Sequence, residues 1–183
     1  MPPLSLSLPA KRTRLRSDYF YHRTYRLRWS DNDVFAHVNN PYYGVLADSI
    51  INEYLIRECG YTTLRHPQAA IIANTYFDYF GSLSYPDVVE CGLRVVKLGK
   101  TSVMYEVGVF KEGEESVKAV GGSSHIWVEQ TGPGVLGRPL KEGMPLEMRR
   151  GYEKVMGEEA REGADKARGE MEREKEKQGK AKL

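Results

Sequence analysis

The sequence has little of what marks several large classes of protein. It holds only two cysteines, Cys59 and Cys91, without C-x-x-C spacing, which favours a reducing compartment over a disulfide framework. No apolar run approaches the length needed to cross a bilayer, and residues 1–20 contain no signal-peptide hydrophobic block. His, Cys and carboxylate residues do not cluster at metal-ligand spacing. The sequence therefore predicts no metal site, no cofactor and no membrane span.

Net charge is also small in most of the chain once it is divided by segment. The formal net charge of the whole chain is +2. Residues 1–20 carry four basic side chains against Asp18, and residues 157–183 carry eight of each sign, so the middle of the chain is close to neutral. A domain of this kind has no general basic surface for nucleic acid, and any recognition of an anion must be local. The length and the 40% hydrophobic content predict a single core with tails.

Both ends of the sequence have the composition of appendages to one domain at residues 21–150. Residues 1–20 are expected to form a disordered basic arm, with a mitochondrial presequence as the alternative. Residues 151–183 are expected to form a charged tail, helical or disordered, with too little apolar surface to dock firmly. The tail ends in Ala181-Lys182-Leu183, which is similar to the peroxisomal address of Ser-Lys-Leu type. An import receptor is thus a predicted partner and the peroxisome a predicted location, with the cytoplasm or mitochondrion as alternatives.

The middle segment predicts one long helix and a set of strands. Asn40 fits an N-cap and Pro41 the first helical position, and Gly60 fits a left-handed cap at the other end. Apolar residues on more than one face predict that this helix is largely buried. Alternation and turn signals predict strands at Thr24–Trp29, Ala70–Phe80, Val88–Leu98, Ser102–Phe110 and Ser116–Glu129. An antiparallel sheet curled around the helix would bury it on several sides, which is an α+β architecture.

The segment between Trp29 and Tyr43 has the composition of a functional site. It gathers two carboxylates, an imidazole and two amides immediately ahead of the helix: Asp31, Asp33, His37, Asn39 and Asn40. A loop that only joins a strand to a helix needs one capping residue and a glycine. The helix N-terminus adds unpaired backbone amides and a partial positive charge, which would stabilise a polarised carbonyl oxygen.

This pattern resembles the strand-to-helix junction of the hotdog-fold acyl-CoA thioesterases, the 4-hydroxybenzoyl-CoA thioesterase-like group. That junction reads as an Arg, then D-x-D, then G-H-V-N-N and an aromatic residue. The matching positions here are Arg28, Asp31, Asp33, Ala36, His37, Val38, Asn39, Asn40, Tyr42 and Tyr43. Strand-like runs extend the likeness over about residues 22–150. Ala36 stands where the family has Gly, so it would either crowd a ligand along that backbone or take ordinary dihedral angles.

The resemblance implies a hotdog fold, an antiparallel sheet wrapped around one long central helix, and hydrolysis of an acyl-CoA to a free acid and CoA. It also implies a homodimer or homotetramer, which would cover exposed strand edges. CoA enters only as part of the substrate. Acyl-carrier-protein esters and the choice of acyl group remain open at this point.

The resemblance assigns Asp33 as the catalytic carboxylate, acting as a general base on water or as a nucleophile on the thioester carbonyl. The alternative for Asp33 is an Asx-turn. His37 either catalyses, as proposed for the matching residue of the acyl-carrier-protein thioesterases, or hydrogen-bonds the loop backbone and holds Asp33 in place. Asn39 and Asn40 are expected to shape the turn and cap the helix, with Asn39 the nearer to the thioester or water.

Other residues complete the predicted site. Asp48 and Glu53 on the helix are reserve bases, because some hotdog enzymes place their base there. Tyr42, Tyr43 and Tyr76 are expected to bind the substrate. Tyr76, Tyr79 and Phe80 are candidates to line an acyl or aryl pocket, with packing in the core as the alternative. Arg94, Lys97 and Lys100 are expected to supply local positive charge for the phosphates of CoA.

Two other functions fit a hotdog domain. A hydratase or dehydratase would have an Asp two residues after the catalytic His, followed by Pro, whereas this chain has Asn39 there and Asn40 before Pro41. The lyase motif therefore fails. A non-catalytic acyl-CoA binding module is the stronger alternative, in which Phe35 and Ala36 would mark a site that is no longer competent, because one fold hosts many roles.

Overall fold

A long helix follows the first strand of the chain, and the other strands come after that helix. The computed structural model describes residues 7–61, 68–132, 135–158 and 160–164. Its elements are α1 (Leu8–Arg12), β1 (Tyr21–Arg26), α2 (Asn40–Cys59), β2 (Gln68–Tyr79), β3 (Val88–Leu98), β4 (Ser102–Lys111), β5 (Val117–Gly132), β6 (Val135–Pro139) and α3 (Leu146–Lys154). Two 3₁₀ turns lie at Arg16–Asp18 and Trp29–Asp31.

The strands form one antiparallel sheet in the order β1-β3-β4-β5-β2, with β6 paired to β5. Successive side chains of a strand point to opposite faces, so each strand contributes every second residue to the inner face. On β3 and β4 these residues are fully buried in the same core as α2: Val89, Cys91, Leu93, Val95, Val103, Tyr105, Val107 and Val109. The predicted α+β architecture, an antiparallel sheet with one long helix, is confirmed.

Helix α2 buries one broad stripe against the inner face of the sheet. The stripe repeats at three and four residue spacing: Tyr43, Leu46, Ala47, Ile50, Ile51, Tyr54 and Leu55. Val45 and Ile56, on the other side, each remain 53% exposed, so the helix is not buried all round. The N-cap is Asn39, one residue earlier than predicted, while Gly60 takes the expected left-handed cap with φ 68°.

The N-terminal segment lies against the outer face of the sheet, which corrects the predicted disordered arm over residues 7–20. The Lys11 ammonium is 2.5 Å from the Asp78 carboxylate and only 4% of the residue is exposed. The Arg14 guanidinium is 2.8 Å from the buried Glu106 carboxylate. A buried ion is tolerated when it is paired. The basic residues that made this segment look like a free arm therefore have acidic partners on the strands.

Tyr19 explains how the same segment closes onto the sheet. Its ring lies across Gly92 and Gly108 on neighbouring strands, where an added Cβ would overlap the ring. The residue is 3% exposed and packs edge-on against Phe110, with ring centroids 5.9 Å apart. Burial raises the pKa of the Tyr19 hydroxyl. Two glycines thus give the outer face a slot for an aromatic ring, and a second, smaller core forms there.

The chain after residue 150 belongs to the domain, which corrects the predicted boundary there. Tyr152, Val155 and Met156 are each less than 5% exposed and lie in the main core. The Tyr54 hydroxyl of α2 donates to the Gly151 carbonyl at 2.6 Å, so α3 is tied directly to α2. Helix α3 and strand β6 were missed from the sequence, because neither has a long periodic pattern.

Candidate active site

The loop between β1 and α2 is closed by a compact set of backbone hydrogen bonds. Asn32 and Val38 form an antiparallel bridge, and the Asp33 amide donates to the His37 carbonyl at 2.7 Å. The Val38 amide donates to the Leu83 carbonyl at 2.8 Å, which joins the loop to the segment before β3. The polar residues that the sequence singled out are therefore held in a defined hairpin-like loop at the start of α2.

Asp31 has a structural role in this loop. It is 3% exposed, and its carboxylate accepts the Arg28 backbone amide at 2.7 Å and the Arg28 guanidinium at 2.9 Å. Burial disfavours the charge on Asp31, but these hydrogen bonds outweigh it and lower the pKa of the carboxyl. Asp31 therefore pairs with Arg28 and orders the loop.

Asp33 adopts the Asx-turn geometry and keeps one carboxylate oxygen outside it. Its Oδ1 accepts the Phe35 amide at 2.8 Å and the His37 amide at 3.1 Å, which is the Asx-turn alternative. Among the described residues, no hydrogen bond reaches Oδ2. Two backbone donors on one oxygen fix the direction of the carboxylate and leave the second oxygen, on a partly exposed residue, for another partner. Such a fixed carboxylate is suited to accept a proton from water.

Ala36 takes the left-handed conformation, with φ 60°. This conformation raises the free energy of a residue with a Cβ by roughly 1–2 kcal/mol, whereas glycine adopts it readily. The possibility of ordinary dihedral angles at this position is therefore wrong. The Ala36 carbonyl accepts the Ser84 hydroxyl at 2.6 Å, so a contact from outside the loop holds the strained turn.

A cavity of about 300 Å³ opens beside the start of α2. Its lining brings together the loop, the helix N-terminus and the chain around the end of β2: His37, Val38, Asn40, Tyr43, Tyr79, Gly81, Ser82 and Leu83. Within the described chain the backbone N–H of Asn40 has no hydrogen-bond partner, as expected for a first helical residue. An oxygen that enters this cavity therefore meets a free amide at the positive end of a helix.

The structure brings some of the predicted site residues to this cavity and leaves others beside it. His37, Asn40 and Tyr43 line it, whereas Asp33 is not among the lining residues and is linked to them by the hydrogen bond from the His37 backbone amide. His37 thus holds Asp33 through its amide and not through the imidazole. Asn39 is the N-cap, but its side chain makes no capping hydrogen bond, so the expected amide cap is absent from this helix.

The aromatic residues divide between the two faces of the sheet. Tyr43 packs against Tyr79 and Phe77, with ring centroids 5.0 and 5.9 Å away, and burial raises the pKa of the Tyr43 hydroxyl to about 12. Tyr76 points to the opposite face, where Lys11 Nζ lies 4.4 Å from its ring centroid. Tyr42 is partly buried near Asp31, and its burial and that charge raise its pKa. Of the three tyrosines expected to bind the substrate, only Tyr43 therefore lines the cavity.

The reserve bases lie farther along α2. Asp48 is eight residues after Asn40, about 12 Å along the helix axis, and its carboxylate accepts the Asn52 amide at 3.0 Å. Glu53 lies about 20 Å from Asn40 and is 2.8 and 2.9 Å from the guanidinium nitrogens of Arg23 and Arg57. These two ion pairs explain how the Glu53 carboxylate is tolerated among the apolar residues of α2.

The predicted phosphate contacts do not converge on the cavity. Arg94 is 6% exposed, on the outer face beneath the N-terminal segment, so its assignment to an external phosphate is wrong for this chain. Lys97 and Lys100 are exposed at the far end of β3. Lys97 is nine residues after Val88, so it lies roughly 30 Å along β3 from the end beside the loop, and Lys100 lies in the turn beyond the strand. The sequence predicted this strand but not which of its ends lies beside the loop.

His125, on β5, has a buried ring nitrogen, Nδ1, with no hydrogen-bond partner within the described chain. The ring is 5% exposed and its Nε2 is 3.0 Å from the Ser123 hydroxyl. Burial, opposed by the charge of Asp48, lowers the pKa of His125 from 6.5 to about 4. The histidine is therefore neutral in the native state at neutral pH.

This burial predicts a loss of stability in mild acid. Between pH 6.5 and pH 4 the unfolded chain binds a proton at His125 and the native chain does not, so stability falls as the pH falls through this window. One pKa unit corresponds to about 1.4 kcal/mol, so the loss approaches about 3 kcal/mol near pH 4. Urea unfolding at pH 7.5 and 4.5 should show a smaller pH dependence for His125→Gln than for the wild type. Equal pH dependence would contradict the assignment.

The described residues contain no group of three or more His, Cys, Asp and Glu side chains that could hold a metal ion. None of their helices is long and apolar enough to cross a membrane. The C-terminal Ala181-Lys182-Leu183 lies outside the described residues, and its role stays a prediction.

Comparison with known proteins gives the following similarities. The family described as Thioesterase superfamily matches residues 35–118. The PA5185 protein from Pseudomonas aeruginosa strain PAO1 is 33% identical, with a TM-score of 0.73 over 79% of this chain and 96% of that one. The BH1999 gentisyl-coenzyme A thioesterase is 20% identical, with a TM-score of 0.60 over 70% and 99%. Slr0204, a 1,4-dihydroxy-2-naphthoyl-CoA thioesterase from Synechocystis, is 11% identical, with a TM-score of 0.62 over 72% and 94%. The last two show a shared fold alone, and no curated protein matches the chain.

Proposed function

Because the chain belongs to the hotdog-fold thioesterase superfamily, we propose that it hydrolyses an acyl-CoA thioester to a free acid and CoA at the cavity beside the start of α2. The observation that carries the proposal is the Asp33 carboxylate, held by two backbone amides through Oδ1 with Oδ2 left available. A fixed carboxylate next to a helix N-terminus supplies the two elements that thioester hydrolysis needs, a base and an oxyanion site.

The chemistry follows from these two elements. A water molecule gives its proton to Asp33 as its oxygen forms a bond to the thioester carbonyl carbon, and the carbonyl oxygen becomes an oxyanion beside the Asn40 amide. Collapse of this intermediate breaks the carbon–sulfur bond, and the sulfur leaves with the proton that Asp33 held. The products are the free acid and the CoA thiol, and the carboxylate is restored. Direct attack by Asp33 on the carbonyl carbon would instead expel CoA as its thiolate and give a mixed anhydride, and water would then hydrolyse that anhydride to the free acid and restore the Asp33 carboxylate.

The lyase alternative has no support from the site, but the binding alternative has one specific observation in its favour. Val34 and Phe35, in the loop that carries Asp33, are 92% and 77% exposed, and Ala36 is strained. A loop of this kind suits a surface that binds without catalysis. Within the described residues Oδ2 of Asp33 has no hydrogen-bond partner, so it is placed to take a proton from water, which favours the enzyme.

Free-thiol release from a panel of short, medium, long and aromatic acyl-CoAs tests the proposal. We expect turnover of at least one ester. The same assay on acyl-carrier-protein esters shows whether the protein accepts the acyl group from CoA or from acyl-carrier protein. If no ester is cleaved while CoA esters still bind, the protein is a binding module and the enzyme assignment is wrong.

We also propose that the protein acts as a homodimer or homotetramer. Support comes from β2, an edge strand of twelve residues whose Ile72 is 53% exposed, and from exposed Trp29, Val34 and Phe35 beside the loop. Light scattering after gel filtration measures the assembly, and a monomeric mass at micromolar concentration would contradict it.

The import receptor remains a proposal that rests on the last three residues. A fluorescent reporter that carries residues 165–183 should enter peroxisomes, and the same reporter without Ala181-Lys182-Leu183 should not. Cytoplasmic or mitochondrial distribution of the intact reporter would contradict the proposed address.

A further inference from the structure

A second cavity, of about 540 Å³, lies between α1 and the end of β2. Its walls are mainly apolar and aromatic: Leu8, Pro9, Phe77, Tyr79 and Phe80, with Arg12 and Asp78 as the charged residues. Tyr79 lines this cavity and also the smaller one beside the start of α2. The two cavities therefore share one side chain, which is 47% exposed and packs edge-on against Tyr43.

The roof of the larger cavity is fixed to the sheet. Lys11, in the same helix as Leu8 and Pro9, pairs with Asp78 at 2.5 Å and lies over the Tyr76 ring. Two residues after α1, Arg14 pairs with Glu106 at 2.8 Å. Because both ion pairs are largely shielded from solvent, they hold α1 in one place over the strand. The cavity is thus shaped before any ligand arrives.

We infer that this cavity receives the acyl chain of the substrate, so that α1 and Tyr79 set the acyl-chain length that the protein accepts. The inference rests on the proposed function, because it takes the thioester to lie beside Asn40. From there a chain that passes Tyr79 enters walls of Phe77, Phe80 and Leu8. Burial of apolar chain in such a pocket raises the affinity, by roughly fourfold for each fully buried CH₂ group.

The charges in the cavity favour an acyl chain over the nucleotide of CoA. Lys11 neutralises Asp78, and Arg12 is then the remaining charged residue of the lining, without a salt bridge to the described chain. The nucleotide carries several phosphate charges, which would need several basic partners. One guanidinium on an apolar wall is compatible with an acyl chain and gives no such set of partners.

Binding of non-hydrolysable thioethers tests the inference independently of turnover. The wild type should bind S-dodecyl-CoA at least about tenfold more tightly than S-ethyl-CoA. Leu8→Trp, which fills the cavity, should weaken S-dodecyl-CoA about tenfold and change S-ethyl-CoA by less than about twofold. Leu146→Trp is the matched control, because Leu146 is 57% exposed, as Leu8 is at 58%, and lies outside both cavities.

Three outcomes would overturn the inference. The first is equal affinity of the wild type for both thioethers, and the second is an equal loss of affinity for both in Leu8→Trp. The third is that Arg12→Gln weakens the binding of free CoA by the same factor as the binding of S-dodecyl-CoA. The last result would place the nucleotide in this cavity. Failure of thiol release with intact chain-length selectivity would instead reject the proposed hydrolysis and leave the acyl-chain pocket standing.

Discussion

Asp33→Asn should lower kcat for acyl-CoA hydrolysis by about 10²- to 10⁴-fold while the protein stays folded. Asparagine keeps an Oδ1 acceptor for the Phe35 and His37 amides, so the loop retains the hydrogen bonds that shape it. It has no carboxylate that takes a proton or attacks a carbonyl carbon. Thiol release under saturating substrate, with circular dichroism to monitor folding, measures the two properties separately.

Asp31→Asn is the matched control for this prediction. Asp31 is two residues away but is buried and paired with Arg28, so its replacement should lower thermal stability more than Asp33→Asn does. His37→Gln tests the alternative base on the cavity wall. If His37→Gln abolishes turnover and Asp33→Asn does not, the imidazole is the base and Asp33 serves the turn alone.

A chain that ends at residue 150 should fail to fold at 37 °C, whereas a chain that ends at residue 164 should unfold close to the full-length temperature. The shorter chain loses the buried side chains of Tyr152, Val155 and Met156 and the hydrogen bond from Tyr54 to Gly151. Loss of one large buried side chain costs about 2–5 kcal/mol, and the total stability of a domain is about 5–15 kcal/mol. Thermal unfolding by circular dichroism compares the two chains with the full protein.

A point substitution keeps this prediction testable if the shorter chain aggregates. Tyr152→Ala removes a fully buried ring together with the hydroxyl that accepts the Trp127 indole N–H at 3.2 Å, and should cost about 3–5 kcal/mol. Equal unfolding temperatures for Tyr152→Ala and the wild type would show that the segment after residue 150 is an appendage after all.

The sequence by itself determined the parts of this protein that rest on local patterns. Alternating residues placed β3 at Val88–Leu98 without error, and Pro41 and Gly60 marked the two ends of α2 to within one residue. These signals are local because strand alternation, a proline in the first turn and a left-handed cap depend on the backbone within a few residues. The same is true of the loop from Asp31 to Asn40, whose composition already indicated a site.

Only the tertiary structure decided what each side chain of that pattern faces. The N-terminal arm was expected to be free because Asp18 is the one acidic residue beside its four basic residues in sequence. Asp78 and Glu106, more than sixty residues away, nevertheless pair with Lys11 and Arg14. Arg94 was expected to be on the surface, but the same segment covers it. Partners distant in sequence leave no local pattern, because burial and charge pairing act through space. For the same reason the cavity at Tyr79 and the packing after residue 150 became visible only in the folded chain.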